Sequence, residues 1–354
     1  MDITNDEKKR LFSLFKNMDV VHEDTVPRTF NSEVLIIDGL NTFFRCFMAI
    51  PSLNENGLHV GGIAGVLQSI GSAIKILNPT RVVIIFDGNG GSMKRRKIYP
   101  EYKQNRSTKL RYNRSYEDLS SPEQEERSVQ SQLLRLIGYF DTLPISVMSL
   151  DHVEADDVIA YAAQEYFKDS HKVYIMSTDK DFLQIVNNKI QVWSPTKRKL
   201  YGCAEILLEY GISCENFINY RILNGDVSDN IDGISGAGLK TILKCFPQLV
   251  ESRYYSLQEL YMICEENKKK YKLYNSILEN KNILSRNLEL MQLTNSQLQP
   301  FSQLRVHEIL DKPVAKLNRI KFSTLITEDR MWNNIPNYHT WLSDTFGKLL
   351  SNIE

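Results

Sequence analysis

Nine carboxylates carry the chemistry this sequence can offer. Asp38 and Asp87 each close a short β-branched run, Asp179 and Asp181 flank a lysine in STDKDF, Glu154, Asp156 and Asp157 crowd DHVEADDV, and Asp226 and Asp229 follow in GDVSDN. Singly, such residues have structural readings: Asp151-x-x-Glu154 resembles a helix capping box, and an Asp at a strand end is often a turn former. Capping accounts for one or two acids. It does not explain why FDG, DG, VEADD and TDKD all recur where strands end or a helix begins. If seven of the nine meet at one edge, their repulsion raises several pKa values and costs stability, so a cation is expected among them. An all-oxygen set without His or Cys selects a hard ion, Mg²⁺ or Mn²⁺ rather than Zn²⁺. Two such ions about 3.5–4 Å apart suit phosphodiester hydrolysis: they lower the pKa of an attacking water and stabilise the leaving oxygen.

The elements that must position these acids alternate in type. EVLIIDG, RVVIIFDG, LPISVMSLD, KVYIMSTDKD and KIQVWSP are short apolar runs closed by turn residues, separated by helix-length segments at 61–77, 123–140 and 152–168. Strands apolar on both faces predict an α/β fold with a mostly parallel sheet covered by helices, whose ligands lie beyond the carboxyl ends of the strands. Asp38, Asp87 and Asp179 fall at such ends. After about residue 205 the pattern turns helical, with a glycine-rich hairpin, GISGAGLKT, between two helices. Residues 1–30 read as a polar arm with one amphipathic stretch (Leu11, Phe12, Leu14, Phe15), and residues 301–354 as a C-terminal tail without a recognisable motif.

Composition narrows the class. The 354 residues hold 43 Lys+Arg against 43 Asp+Glu and 42% hydrophobic residues, a globular balance that fits about two domains. No apolar run approaches the ~18 residues of a membrane span, and residues 1–12 lack a signal-peptide core, so an intracellular address is expected. Five cysteines without a CxxC suggest neither a disulfide framework nor a zinc site, and are expected as buried thiols. The neutral total hides one asymmetry: from Lys94 to Arg114 nine basic residues face a single acid, Glu101. GISGAGLKT imitates a phosphate-binding Walker loop, but Leu239 separates Gly238 from Lys240 and no strand precedes it, so ATP binding is rejected. The better reading is a hairpin whose N–H groups at Gly233, Gly236 and Gly238 cradle a duplex phosphate, against the alternative of a purely structural turn. GxSxG, HExxH and GxGxxG are absent, which disfavours serine and zinc hydrolysis.

Together DGLNTFFR (38–45), FDG (86–88), YPEYKQNR (99–106), VEADD (153–157), STDKDF (177–182) and GDVSDNIDGISGAGLKT (225–241) resemble the flap endonuclease and 5′-3′ exonuclease family in its free-standing bacteriophage form. The resemblance implies a PIN-like core at 31–205 with an arch at about 92–122, and a helix-three-turn-helix DNA-binding region at 206–300. It implies a two-metal nuclease that removes 5′ flaps and RNA primers. Asp38, Asp87, Glu154, Asp156 and Asp179 would surround the first metal, and Asp157, Asp181, Asp226 and Asp229 would hold or hydrate the second. Lys103 would stabilise transition-state charge, with Asp38, Asp87 and Asp179 nearest the chemistry. Arg95, Arg96, Arg106 and Lys240 would meet phosphates, with Arg45 beside them, while Phe44, Tyr99 or Tyr102 would stack on terminal bases. A K⁺ at the hairpin, a single-strand-binding protein or sliding clamp as partner, branched or nicked DNA and RNA–DNA duplex as substrates, and a monomeric state complete the expectation. The competing readings are a PIN-type ribonuclease, which would lack the glycine hairpin, and a non-catalytic junction-binding protein, which would have lost some of the acids.

Overall fold

The computed structural model describes residues 30–105, 119, 121–294 and 298–350. The amphipathic stretch of the arm, Arg106 and most of the arch lie outside these residues. Six strands form one sheet: β1 (Glu33–Asp38), β2 (Arg81–Asp87), β3 (Ser146–Leu150), β4 (Lys172–Met176), β5 (Ile190–Ser194) and β6 (Lys199–Tyr201). Their spatial order is β3-β2-β1-β4-β5-β6, parallel throughout except that β6 runs antiparallel to β5. The chain leaves β1 towards β2 and β3, then returns across to β4, so the β1–β4 boundary is the topological switch point where a crevice opens. Register brings the acids to that edge: Asp38 lies opposite Ile85, Asp87 opposite Leu150, and Ile37 opposite Met176, three residues before Asp179.

Alternation along each strand feeds two cores. Val34, Ile36, Val83, Ile85, Val173 and Ile175 face one side; Leu35, Ile37, Val82, Ile84 and Met176 face the other. Both sets are buried, which is why the runs are apolar without a break. The helices, in chain order, are α1 (Gly39–Ala49), α2 (Gly61–Leu77), α3 (Met93–Ile98), α4 (Pro122–Phe140), α5 (Ala155–Tyr161), α6 (Cys203–Tyr210), α7 (Phe217–Asn224), α8 (Leu239–Cys245), α9 (Leu257–Glu266), α10 (Lys272–Glu279), α11 (Lys281–Met291), α12 (Pro300–Leu310), α13 (Arg319–Glu328) and α14 (Tyr338–Leu350). Helices α1, α2 and α4 cover the second face. Helix α5 and the helical region from α6 to α12 share one continuous core with the first face.

Two expectations are corrected here. Residues 301–350 are no tail: α12 buries Val306 and Leu310 in the first core, while Phe322, Leu325 and Ile326 of α13 and Leu342, Phe346 and Leu349 of α14 complete the second. Their spacings, i, i+3, i+4 and i, i+4, i+7, make one apolar stripe per helix, which has to be covered. The cysteines are not all free: Cys203 and Cys214 form a disulfide with Cα atoms 5.5 Å apart, because α6 ends at Gly211 in a left-handed turn that brings the chain back on itself. Cys46, Cys245 and Cys264 are buried thiols as expected. Among the described residues no helix is long and apolar enough to cross a membrane.

Candidate active site

At the carboxyl edge, Asp38, Asp87, Asp156 and Asp179 line a cleft of about 730 Å³ together with Lys103, Phe44 and Arg45. Each acid is fixed by its local structure. Asp38 caps α1, accepting from the Asn41 N–H at 3.1 Å, and takes the Ser177 hydroxyl at 3.0 Å. Asn41 in turn accepts from the N–H and hydroxyl of Thr178, at 3.0 and 2.9 Å, which ties the turn after β4 to the start of α1. Asp179 accepts from the Asp181 N–H at 2.8 Å, and Asp87 from the Ala155 N–H at 2.7 Å. The capping reading of these acids is therefore true of their backbone contacts, which use one oxygen each; the second oxygen of Asp38 takes the Ser177 hydroxyl.

The electrostatics of the cleft are unfavourable without a cation. Burial, reinforced by the charges of Asp179 and Asp87, pushes Asp38 up to about 7. Burial and the neighbouring Asp179 likewise raise Asp181 to about 7 despite Arg221. Asp156 and Asp179 are raised as well, each first by burial and then by facing carboxylates. These are the perturbations predicted from the sequence for acids that share an edge.

Around this group three cations hold the remaining acids aside. Glu154 is 2% exposed and heads α5, yet its carboxylate makes no capping bond. It pairs instead with Arg95 and, at 2.5 Å, with Lys103. Burial alone would raise Glu154, but these two cations outweigh it and hold the carboxyl below its ordinary range. Arg95 also grips Asp157 through two bonds of 2.8 and 3.0 Å and donates to the Leu290 carbonyl at 2.8 Å. Arg221 of α7, with 6% of its side chain exposed, joins Asp181 at 2.5 Å to Asp226. Burial opposes the charge on Asp226 too, but Ser228 and Arg221 pull its pKa down. Asp229 accepts from the Tyr102 hydroxyl at 3.2 Å. As a result, among the described residues no three His, Cys, Asp or Glu side chains close on a single point. The donor set nonetheless fits a hard divalent ion: oxygen only and partly dehydrated, with Asp38, Asp156, Asp179 and Asp181 raised by burial and then by facing carboxylates.

The predicted DNA contacts divide. Arg96 and Lys240 are exposed, and Phe44 and Arg45 are half-buried on the cleft wall, where Arg45 donates to Ser69 at 2.8 Å. Gly233 packs against the backbone of Asn224, where a Cβ would come within 2.3 Å, and so serves the hairpin itself. Around Gly236 (φ +80°) and Gly238 there is open space. Arg95 and Tyr102 depart from expectation. Arg95 is 7% exposed because the single turn of α3 points it inward while Lys94, Arg96 and Lys97 point out, and Tyr102, 2% exposed, is buried against Glu154 and Asp229. Neither side chain is open to solvent. Tyr99 lies under the Arg286 guanidinium at 4.2 Å. The sequence reading missed Arg221, whose signal was a lone cation inside the apolar run FINYRIL, and Asn41 and Ser177, which carry none.

A family model described as 5′-3′ exonuclease, N-terminal resolvase-like domain, matches residues 33–211. The 5′-3′ exonuclease of Aquifex aeolicus is 32% identical over 209 residues, covering 59% of this chain and 66% of that protein, just under two thirds of its length. The 5′-3′ exonuclease of Buchnera aphidicola is 30% identical over 236 residues, 65% of this chain and 76% of that one. Among solved structures, the bacteriophage T5 D15 flap endonuclease, in a complex with DNA and metal ions, matches with a TM-score of 0.58 at 22% identity. It covers 84% of this chain and 99% of its own, a likeness of fold.

Proposed function

The chain belongs to the 5′-3′ exonuclease family, and from that premise we propose that it is a two-metal, structure-selective 5′ nuclease. It cuts 5′ flaps, digests from nicks and removes RNA primers from RNA–DNA duplex, inside the cell, during replication and repair. The observation that carries this reading is the meeting of Asp38, Asp87, Asp156 and Asp179, drawn from four separate segments, in one cleft beside Lys103.

Asp38, Asp87, Glu154, Asp156 and Asp179 would hold the first divalent ion, Mg²⁺ or Mn²⁺, and Asp157, Asp181, Asp226 and Asp229 would hold or hydrate the second. When bound, such ions acidify a water and neutralise charge on the phosphate. Lys103 has a left-handed backbone (φ +56°), and its N–H donates to the Asp229 carbonyl at 2.9 Å, so its ammonium is aimed at the cleft by the main chain. There it adds positive charge where the scissile phosphate gains negative charge. Arg96 and Arg45 take backbone phosphates, as would Arg106; Phe44 stacks on an unpaired base; and the Gly236 and Gly238 amides with Lys240, aided by a K⁺, grip the duplex. Single-strand-binding protein or a sliding clamp would recruit the monomer. Arg95 and Tyr102 belong instead to the support of Glu154.

The test is an end-labelled 5′-flap duplex, with an RNA-tailed version beside it, incubated with Mg²⁺ or with EDTA. Cutting near the branch is expected with the metal and none with EDTA. Cutting in EDTA, or none in either Mg²⁺ or Mn²⁺, overturns the reading.

A further inference from the structure

Between α7 and the glycine hairpin the chain makes a shorter hairpin: Gly225 pairs antiparallel with Asp232 and Asp226 with Ile231, which leaves residues 227–230 as the tip. The tip is stiffened from within, since the Asp226 carboxylate accepts from the Ser228 N–H at 2.7 Å and from the Ser228 hydroxyl at 2.6 Å. Its root is pinned by α11, where Asn287 Nδ2 donates to the Asp232 carbonyl at 2.8 Å and to the Ile222 carbonyl at 3.0 Å. This tip docks on the segment after α3 at three alternate residues. Asn230 Nδ2 donates to the Glu101 carbonyl at 2.9 Å, the Lys103 N–H to the Asp229 carbonyl at 2.9 Å, and Asn105 Nδ2 to the Val227 carbonyl at 2.7 Å. Ser228, between these contacts, lines the cleft with Lys103.

Two left-handed residues face each other across this contact, Lys103 at φ +56° and Asn230 at φ +59°. Asparagine enters that region readily; lysine does so seldom, and stays there only where its surroundings over-determine it. The bonds at 101, 103 and 105 supply that constraint on both sides of Lys103. Released from them, the backbone would relax to an ordinary conformation, and the side chain would leave its Cα in another direction. We propose that Asn230 and Asn105 are positioning residues for Lys103: the 227–230 tip fixes the backbone from which the ammonium meets the scissile phosphate. Asn230 and Asn105 each donate to a main-chain carbonyl, so what they hold is the path of the chain. The direction of the lysine matters because its ammonium lies among carboxylates, 2.5 Å from Glu154 and 3.9 Å from Asp229. A charge that serves the transition state has to be in place beforehand, so loosening its mount lowers the rate of the step more than the affinity for substrate.

The inference rests on the nuclease reading and deepens it. Single-turnover cleavage of an end-labelled 5′-flap duplex is compared for wild type, Asn230→Gly, which keeps the left-handed backbone and removes the donor, Asn105→Ala, Lys103→Ala, and each asparagine variant combined with Lys103→Ala. Asn230→Gly and Asn105→Ala are expected to lower the maximal rate about five- to twentyfold, with half-saturating enzyme and half-saturating Mg²⁺ each within about twofold of wild type. In the Lys103→Ala background either change should alter the rate by less than about twofold, because residues that act through one group are not additive. Wild-type rates in both asparagine variants overturn the proposal, and so does the same fold loss with and without Lys103. A raised Mg²⁺ requirement that accounts for the slower rate would place the effect on Asp229 and overturn it too. If Asn230→Gly fails to fold, Asn105→Ala and its double variant decide alone. A wild-type chain that cuts no flap at all would instead refute the nuclease reading beneath it.

Discussion

Arg95→Ala separates two roles that a basic run cannot distinguish. The side chain is 9% exposed and bonded to Glu154, to both oxygens of Asp157 and to the Leu290 carbonyl. Removing it leaves two carboxylates, 3% and 19% exposed, without their main counter-charge, and Lys103 remains only for Glu154. Breaking a buried pair in this way costs about 3–5 kcal/mol, a large part of the ~5–15 kcal/mol that holds a typical chain folded. Urea unfolding at pH 7 should show that loss, and added Mg²⁺ should recover part of it, because the freed carboxylates gain a replacement cation. DNA affinity measured in EDTA against salt provides the second reading. A residue that neutralises a phosphate contributes about 0.9 to the slope of log K against log[salt]. For Arg95→Ala that slope is expected to match wild type, and for the exposed Arg96→Ala it should fall while stability stays put. A shallower slope for Arg95→Ala with stability changed by under ~1 kcal/mol would refute the buried-support assignment.

Three further outcomes follow from the geometry. Lys103→Ala should lower kcat about 10²–10³-fold with KM within a fewfold, as removal of a preorganised charge at the reacting group does; equal losses in kcat and affinity would make it only a binding residue. Phe322→Ala, at a fully buried position of α13, should cost about 3–5 kcal/mol in chemical unfolding, and a loss under ~1 would remove the C-terminal helices from the core. Glu209 accepts from Lys197, Lys199 and Tyr201 at 2.6, 2.7 and 2.8 Å, and although burial opposes this, the contacts pull its pKa from 4.5 to about 2. A folded value below the unfolded one means the contribution is complete above ~4.5 and fades as pH falls to 2. Glu209→Gln should therefore be less stable at pH 7 by under ~1 kcal/mol, and a deficit undiminished at pH 2 would contradict the assignment.

What was legible in the chain was what lies in short-range pattern. A β-branched run closed by Asp announces both a strand and the edge where its acid sits, so the sheet, its parallel sense and the acids of the cleft could be read before any coordinates. Direction was not legible. KRRK states that four cations are adjacent, and only the six-residue helix α3 decides that Arg95 alone turns inward. Tyr102 was misplaced for the same reason, since an aromatic in a basic segment reads as a stacking platform until its hydroxyl is found on Glu154 and Asp229. The stripes of α13 and α14 were present as apolar spacing but were overlooked for want of a motif. The Cys203–Cys214 bond depends on a turn at Gly211 that no cysteine spacing encodes.

Because strands β1–β5 and helices α5–α12 bury their side chains in one uninterrupted core, the glycine hairpin and the acidic edge cannot shift against each other as two hinged bodies would. If one end grips duplex and the other cuts, their separation acts as a ruler. Such an enzyme would place its cut by packing alone, at a constant distance from the duplex it grips whatever bases lie there.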